Sequence, residues 1–189
     1  ATGGHGANGR VVACNAAISA SEKAHQWEWA LALLRTTHRE ALELTVVTYS
    51  AAISASEKCQ RWGEALYLLA ESETVGLEPG LITFGAVLSA FEKGQQWQRS
   101  FALWREMRER EVESGTIIYS SIISASEKGQ QWDRALAALA EARARLMRLD
   151  VIACSAVISA LEKGLQWMMA WSLLQEMRAE ALEPDLITG

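Results

Sequence analysis

The chain has 189 residues, 50% hydrophobic and 22% charged, which gives ample apolar mass to bury. Its formal net charge of −5 weighs against tight non-specific binding to nucleic acid, because that binding rests on Lys and Arg neutralising phosphates. No apolar run approaches the ~18–20 residues of a membrane span, and no basic-then-apolar leader marks a secretory signal, so no membrane partner is expected.

Residues 1–10 (ATGGHGANGR) are Gly-rich and aperiodic and read as a flexible lead-in. From there the sequence repeats every 35 residues. Ile18, Ile53, Leu88, Ile123 and Ile158 are each followed by Ser-Ala, one variable residue and Glu-Lys. Each unit reaches a Trp nine residues after that position: Trp27, Trp62, Trp97, Trp132 and Trp167. The repeats run 11–45, 46–80, 81–115, 116–150 and 151–185, and Leu186-Ile187-Thr188 copies Leu81-Ile82-Thr83, so residues 186–189 open a truncated sixth. A fixed period of this length means stacked supersecondary units in place of one shared core.

Each repeat splits into two helical patterns. In the second repeat Tyr49, Ala52, Ile53 and Ser56 lie at i, i+3, i+4, i+7, as do Phe84, Val87, Leu88 and Phe91 in the third and Cys154, Val157, Ile158 and Leu161 in the fifth. A helix over about 48–58 fits, with Thr48 as N-cap. Gly94, Gly129 and Gly164 are placed to end such helices in a left-handed C-cap conformation. A second helix starts at the Trp, as in Trp97, Phe101, Trp104 and Trp167, Trp171, Leu174. Pro79 and Pro184 close the repeat, since proline cannot continue a helix. The result is an αα-hairpin repeated five times, an all-α solenoid. Ala20, Ala55, Ala90, Ala125 and Ala160 share one first-helix position, and Ala16, Ala51, Ala86, Ser121 and Ala156 another, so small residues let adjacent helices approach. The five aligned Trp read as large buried anchors rather than a base-stacking row.

One polar stripe remains on the first helix: Asn15, Ser19, Glu22; Ser50, Ser54, Glu57; Gly85, Ser89, Glu92; Ser120, Ser124, Glu127; Ser155, Ser159, Glu162. Lys23, Lys58, Lys93, Lys128 and Lys163 follow the Glu residues and form a row of cations. This row suits phosphates, and it equally suits a solvated helix end next to the negative pole of the dipole.

Little else points to chemistry. The odd set of Cys14, Cys59 and Cys154, without CxxC spacing, argues for a reduced compartment and free thiols. His38-Arg39-Glu40 matches only half of a nucleobase deaminase signature, and His5, His25 and His38 show no metal-ligand spacing with any Cys. There is no phosphate-binding P-loop and no nucleophile elbow. No catalytic residue, metal, cofactor or small-molecule substrate is expected.

The stretch Val-Val-Thr-Tyr-Ser-Ala-Ala-Ile-Ser-Ala (46–55), with Ala-Leu at 65–66, Leu-Glu-Pro at 77–79 and Leu-Glu-Pro-Asp-Leu-Ile-Thr at 182–188, resembles the pentatricopeptide repeat family. The resemblance covers residues 11–189. It implies a right-handed superhelix that binds single-stranded RNA, about one base per repeat, read by the fifth and last residues. Carried over, Ser120 with Asp150 and Ser155 with Asp185 are similar to a guanine-preferring pair; a carboxylate accepts from the N–H donors of guanine and a hydroxyl donates or accepts. Asn15 with Thr45 resembles a pyrimidine class but has an unusual partner. Ser50 faces Gly80, and Gly85 faces Gly115, so these two repeats read little. Serine at the fifth position equally suits local backbone bonding.

The resemblance also implies that the second residues, Val12, Val47, Ile82, Ile117 and Ile152, wedge between bases, although a packed linker would use the same series. The lysine row would then meet phosphates. Family members act in chloroplasts or mitochondria on RNA processing, stability or translation. The competing reading is a protein-interaction scaffold with other proteins as partners, which the two Gly-bearing positions and the net charge favour.

Overall fold

The computed structural model describes residues 3–40, 44–112 and 114–181. All regular structure among them is helical: α1 (Gly3–Lys23), α2 (Trp27–Arg39), α3 (Val46–Lys58), α4 (Trp62–Thr74), α5 (Leu81–Lys93), α6 (Trp97–Glu109), α7 (Thr116–Lys128), α8 (Trp132–Ala144), α9 (Val151–Lys163) and α10 (Trp167–Ala181). From the second repeat onward each first helix starts on the first residue of its repeat and each second helix on its Trp, so the period of the sequence is also the period of the backbone. Five hairpins result. Three belong to a compact unit ending at Ser114, and two belong to a second unit beginning at Gly115.

The helix ends differ from the sequence expectation in three places. The Gly-rich lead-in is helical from residue 3 and continuous with α1. Arg10 on it pairs with Glu40 at the end of α2, which ties this extension to its own hairpin. The first helix of the second repeat begins two residues before Thr48. Its N-cap is Thr45, and Thr48 instead completes a capping box with it. Gly94, Gly129 and Gly164 close their helices with φ of −80°, −82° and −83°, not left-handed. The left-handed residue is the next one: His25, Gln60, Gln95, Gln130 and Leu165 all have φ of 55–58°. Around Gln95, the Gln96 N–H bonds Phe91 C=O and the Gln95 N–H bonds Glu92 C=O, a Schellman closure that recurs at 35-residue intervals. The second helices end the same way, with positive φ at Gly76, Glu111 and Leu146.

A lone hairpin has one apolar face and nothing to bury it against, so burial comes from stacking. In the first unit α3 lies against α1 and α5, and each second helix contacts the first helix of the following hairpin. In the second unit α7 packs on α9, and α8 touches both. Tyr49, Ala52, Ile53 and Ser56 are fully buried, as are Phe84, Val87, Leu88 and Phe91. Ala55, Ala90, Ala125 and Ala160 are buried at the small-residue position. Second helices supply Ala65, Leu68 and Leu69; Leu103 and Met107; Ala135, Ala138 and Leu139. Each large side chain so buried contributes roughly 1.5–3 kcal/mol.

The Trp row is not part of this core. Trp27, Trp62, Trp97 and Trp132 are only partly buried, and Trp167 is 72% exposed. Trp171, expected in the same stripe, is also exposed. The reason is position. Each Trp opens a second helix at the rim of the hairpin turn, three residues before the buried face begins. What lies against Trp62 and Trp132 comes from the next repeat: a Cβ on Gly94 would lie 2.4 Å from Trp62 Cδ1, and one on Gly164 2.3 Å from Trp132 Cδ1. The Arg61 guanidinium lies 4.4 Å from the Trp27 ring centroid, and that of Arg99 lies 4.7 Å from Trp62. These indoles therefore bracket one repeat to the next, and glycine is required at 94 and 164 by close approach rather than by φ.

Phe84→Ala is expected to destabilise by about 3–5 kcal/mol, whereas Trp167→Ala should stay within about 0.5 kcal/mol, as read by chemical denaturation. Gly94→Ala should cost about 1–3 kcal/mol by overpacking Trp62, and much of that loss should vanish in a Trp62→Leu background.

Candidate nucleic-acid interface

The second residue of each repeat sits in the first turn of a first helix, or at the matching point of α1. Val12 is 62% exposed, Val47 65%, Ile82 77%, Ile117 66% and Ile152 76%. Large β-branched side chains in water, one per repeat, are inconsistent with the packed-linker alternative; no neighbouring helix covers them.

The fifth residues fall into two kinds. Asn15 Oδ1 accepts from the Thr48 hydroxyl at 2.6 Å, and the Ser50 and Thr83 hydroxyls are 2.7 Å apart. In both, the fifth residue of one repeat is tied to the third residue of the next. Gly85 is buried and carries no side chain. Ser120 is partly buried, and the third residue of the repeat after it is Ala153, which offers no hydroxyl. Ser155 is exposed, and its counterpart Thr188 lies outside the described residues. Ser120 and Ser155 are thus the fifth residues whose hydroxyls make no side-chain bond among the described residues.

The last residue of a repeat turns out to be the N-cap of the next first helix. Thr45 Oγ1 accepts from the Thr48 N–H, and Asp150 Oδ1 accepts from the Ala153 N–H at 2.8 Å. Gly80 and Gly115 hold the same place without a side-chain cap. Asp185 lies outside the described residues. One oxygen of the exposed Asp150 carboxylate therefore serves the helix, and Oδ2 is left for another donor.

The lysines are arranged differently from a free cationic row. Lys58 Nζ lies 2.8 Å from Glu22 Oε1, and Lys93 Nζ lies 2.5 Å from Glu57 Oε1. In the second unit Lys163 Nζ lies 2.5 Å from Glu127 Oε1, which also accepts from the Ser159 hydroxyl at 3.1 Å. Each lysine binds the Glu of the preceding repeat, 36 residues earlier, and not the Glu next to it in sequence. The Glu22 carboxylate raises the Lys58 pKa above its ordinary value, and the hydrogen bond from Lys163 holds the Glu127 carboxyl below the usual range. Lys23 and Lys128 occupy the matching helix-end positions and are exposed. The sequence held the signal for these rungs, a constant Glu-to-Lys offset one residue longer than the period. No group of three metal-ligating side chains occurs among the described residues.

Because the folded Glu127 carboxyl titrates below its unfolded value, its contribution to stability is present above about pH 4.5 and lost as pH falls through the folded value. Thermal melts from about pH 5 down to about pH 3 should therefore show a steeper fall for the wild type than for Glu127→Gln. Thr45→Ala should cost about 1 kcal/mol through the lost cap of α3.

Comparison with known proteins agrees with the repeat architecture. A model described as pentatricopeptide repeat domain matches residues 32–94, and one described as PPR repeat matches residues 82–112 and 152–181. No curated protein sequence matches the chain significantly. Among solved structures, the PPR domain of Arabidopsis thaliana protein-only RNase P 1 in complex with tRNA is similar at TM-score 0.77 and 12% identity, over 88% of each chain. Maize PPR10 is 25% identical with TM-score 0.62, over 91% of this chain and 30% of that one. PPR10 in complex with an 18-nt psaJ RNA element gives TM-score 0.64 over the same shares. This chain thus spans under a third of the length of PPR10. Two hydrogen-bond-closed helices every 35 residues, the buried faces they share and the matched repeats lead to one assignment: the chain belongs to the pentatricopeptide repeat family.

Proposed function

We propose that the chain binds single-stranded RNA, about one base per repeat, and itself carries out no reaction. The observation that carries this reading is the exposed series Val12, Val47, Ile82, Ile117 and Ile152. Apolar side chains held in water once per repeat gain by inserting between unstacked bases, which only a single strand presents. The similarity to PPR10, solved with an RNA element, supports the same ligand.

Ser120 and Asp150 form the guanine-reading pair on which the proposal rests most heavily, since the Ser120 hydroxyl and one Asp150 oxygen are unspent. Ser155 with Asp185 is the second such pair. Asn15 with Thr45, and Ser50, contribute little discrimination, because their polar atoms already hold neighbouring turns together. The lysines are the phosphate contacts. By analogy with the family, the setting is a chloroplast or mitochondrion, and the task is RNA processing, stability or translation.

The test is a filter-binding titration at low salt with a short G-rich single strand and its all-pyrimidine counterpart. The G-rich strand should be retained more tightly. Ser120→Ala combined with Asp150→Ser, which keeps a helix cap, should reduce the preference by about tenfold while leaving the fold intact. Ile117→Ser with Ile152→Ser should weaken both RNAs and shift stability by no more than about 0.5 kcal/mol. Equal, negligible retention of both strands by the wild type would put the protein-scaffold reading ahead.

A further inference from the structure

We infer that Glu22, Glu57 and Glu127 act as tethered competitors for RNA phosphate, holding the lysines of the following repeats and thereby setting both affinity and salt dependence. This inference rests on the RNA-binding reading above. Its basis is the asymmetry of each rung. Glu22 is 24% exposed against 34% for Lys58, Glu57 14% against 42% for Lys93, and Glu127 23% against 42% for Lys163. In these three rungs the carboxylate lies deeper and the ammonium farther out. Glu127 is further fixed by the Ser159 hydroxyl. The carboxylate cannot follow a departing lysine, whereas the lysine, on a flexible four-carbon stem, can pivot to an anion in solvent.

The exchange conserves charge pairing: a Lys–carboxylate contact opens and a Lys–phosphate contact forms. The net gain per phosphate is therefore the difference between two similar contacts. Partly exposed ion pairs are individually weak, so the competition shifts binding without forbidding it. It also lowers the apparent count of phosphates neutralised, because part of each lysine's charge is already compensated before RNA arrives. A single strand gives a salt slope of about 0.7 per phosphate neutralised by a free cation. A gated lysine contributes less than that.

The test compares the wild type with the triple variant Glu22→Gln, Glu57→Gln, Glu127→Gln, and with a charge-matched control, Glu28→Gln, Glu109→Gln, Asp133→Asn, whose sites are exposed and lie on second helices. Binding of the short G-rich strand is measured as log K against log salt, and binding of inorganic polyphosphate, which needs no base reading, is measured in parallel. The triple variant is expected to bind RNA about tenfold more tightly at moderate salt, with a slope steeper by up to about 2. The control should keep the wild-type slope. The single variant Glu57→Gln should show about a third of the change and guards against loss of fold in the triple.

An unchanged slope in the triple variant, or weaker binding, would overturn the inference and mean that the glutamates position the lysines instead of withholding them. If neither protein binds RNA, the RNA reading fails, and polyphosphate alone decides. A steeper polyphosphate slope in the triple then supports the gate, and equal slopes or no binding overturn it.

Discussion

The contacts on which everything else depends are those between successive first helices within each unit, α3 against α1 and α5 in the first and α7 against α9 in the second, where Ala55, Ala90, Ala125 and Ala160 are buried small residues. A hairpin cannot bury its own apolar face, so each unit is stable only against its neighbours. That requirement fixes the register between repeats, and register is what turns a sequence period into a surface. Every recurrent contact across a repeat boundary is written as an offset close to 35: Asn15 to Thr48 at 33, Glu22 to Lys58 at 36, Trp62 to Gly94 at 32. A larger residue at the alanine position would disturb all of these together.

Much of the fold was legible because helical periodicity is a local property. The faces carrying Tyr49, Ile53, Phe84 and Leu88 follow from spacing alone, and the structure buries them. What was not legible depends on the neighbour. The Trp residues read as core because they are large and aligned, yet their shielding comes from a glycine in the next repeat. The glycines read as left-handed stops because that is their commonest role, yet here they make room for an indole. Thr48 has the residue type of a cap, but the cap is Thr45, the residue that closes the preceding repeat. At the candidate interface the hydrogen-bond commitments of the polar residues were not legible. That Asn15 and Ser50 spend their polar atoms on Thr48 and Thr83 appears only when consecutive repeats are laid side by side.

The net charge of −5 coexists with recurring ion pairs between repeats. The first helices carry lysine rungs on glutamates, and the second helices carry arginines on glutamates, as in Arg110 with Glu73 and Arg143 with Glu176. Exposed β-branched residues thus lie toward one end of the first helices and, at Lys58, Lys93 and Lys163, cations partly compensated by glutamate lie at the other. Under the proposed RNA reading, such an arrangement favours contacts with bases over indiscriminate attraction to phosphate.

The turns carry a consequence of their own. Left-handed backbone costs a non-glycine residue about 1–2 kcal/mol, and His25, Gln60, Gln95, Gln130 and Leu165 all adopt it at the same corner of successive hairpins, with Glu111 and Leu146 doing so at the other corner. The hairpins therefore store conformational tension at the same corner of each repeat, apart from the buried faces of the helices. Exchanging these corner residues for glycine would relieve that cost turn by turn, so the corners are places where the stability of a hairpin can be tuned without touching its buried faces.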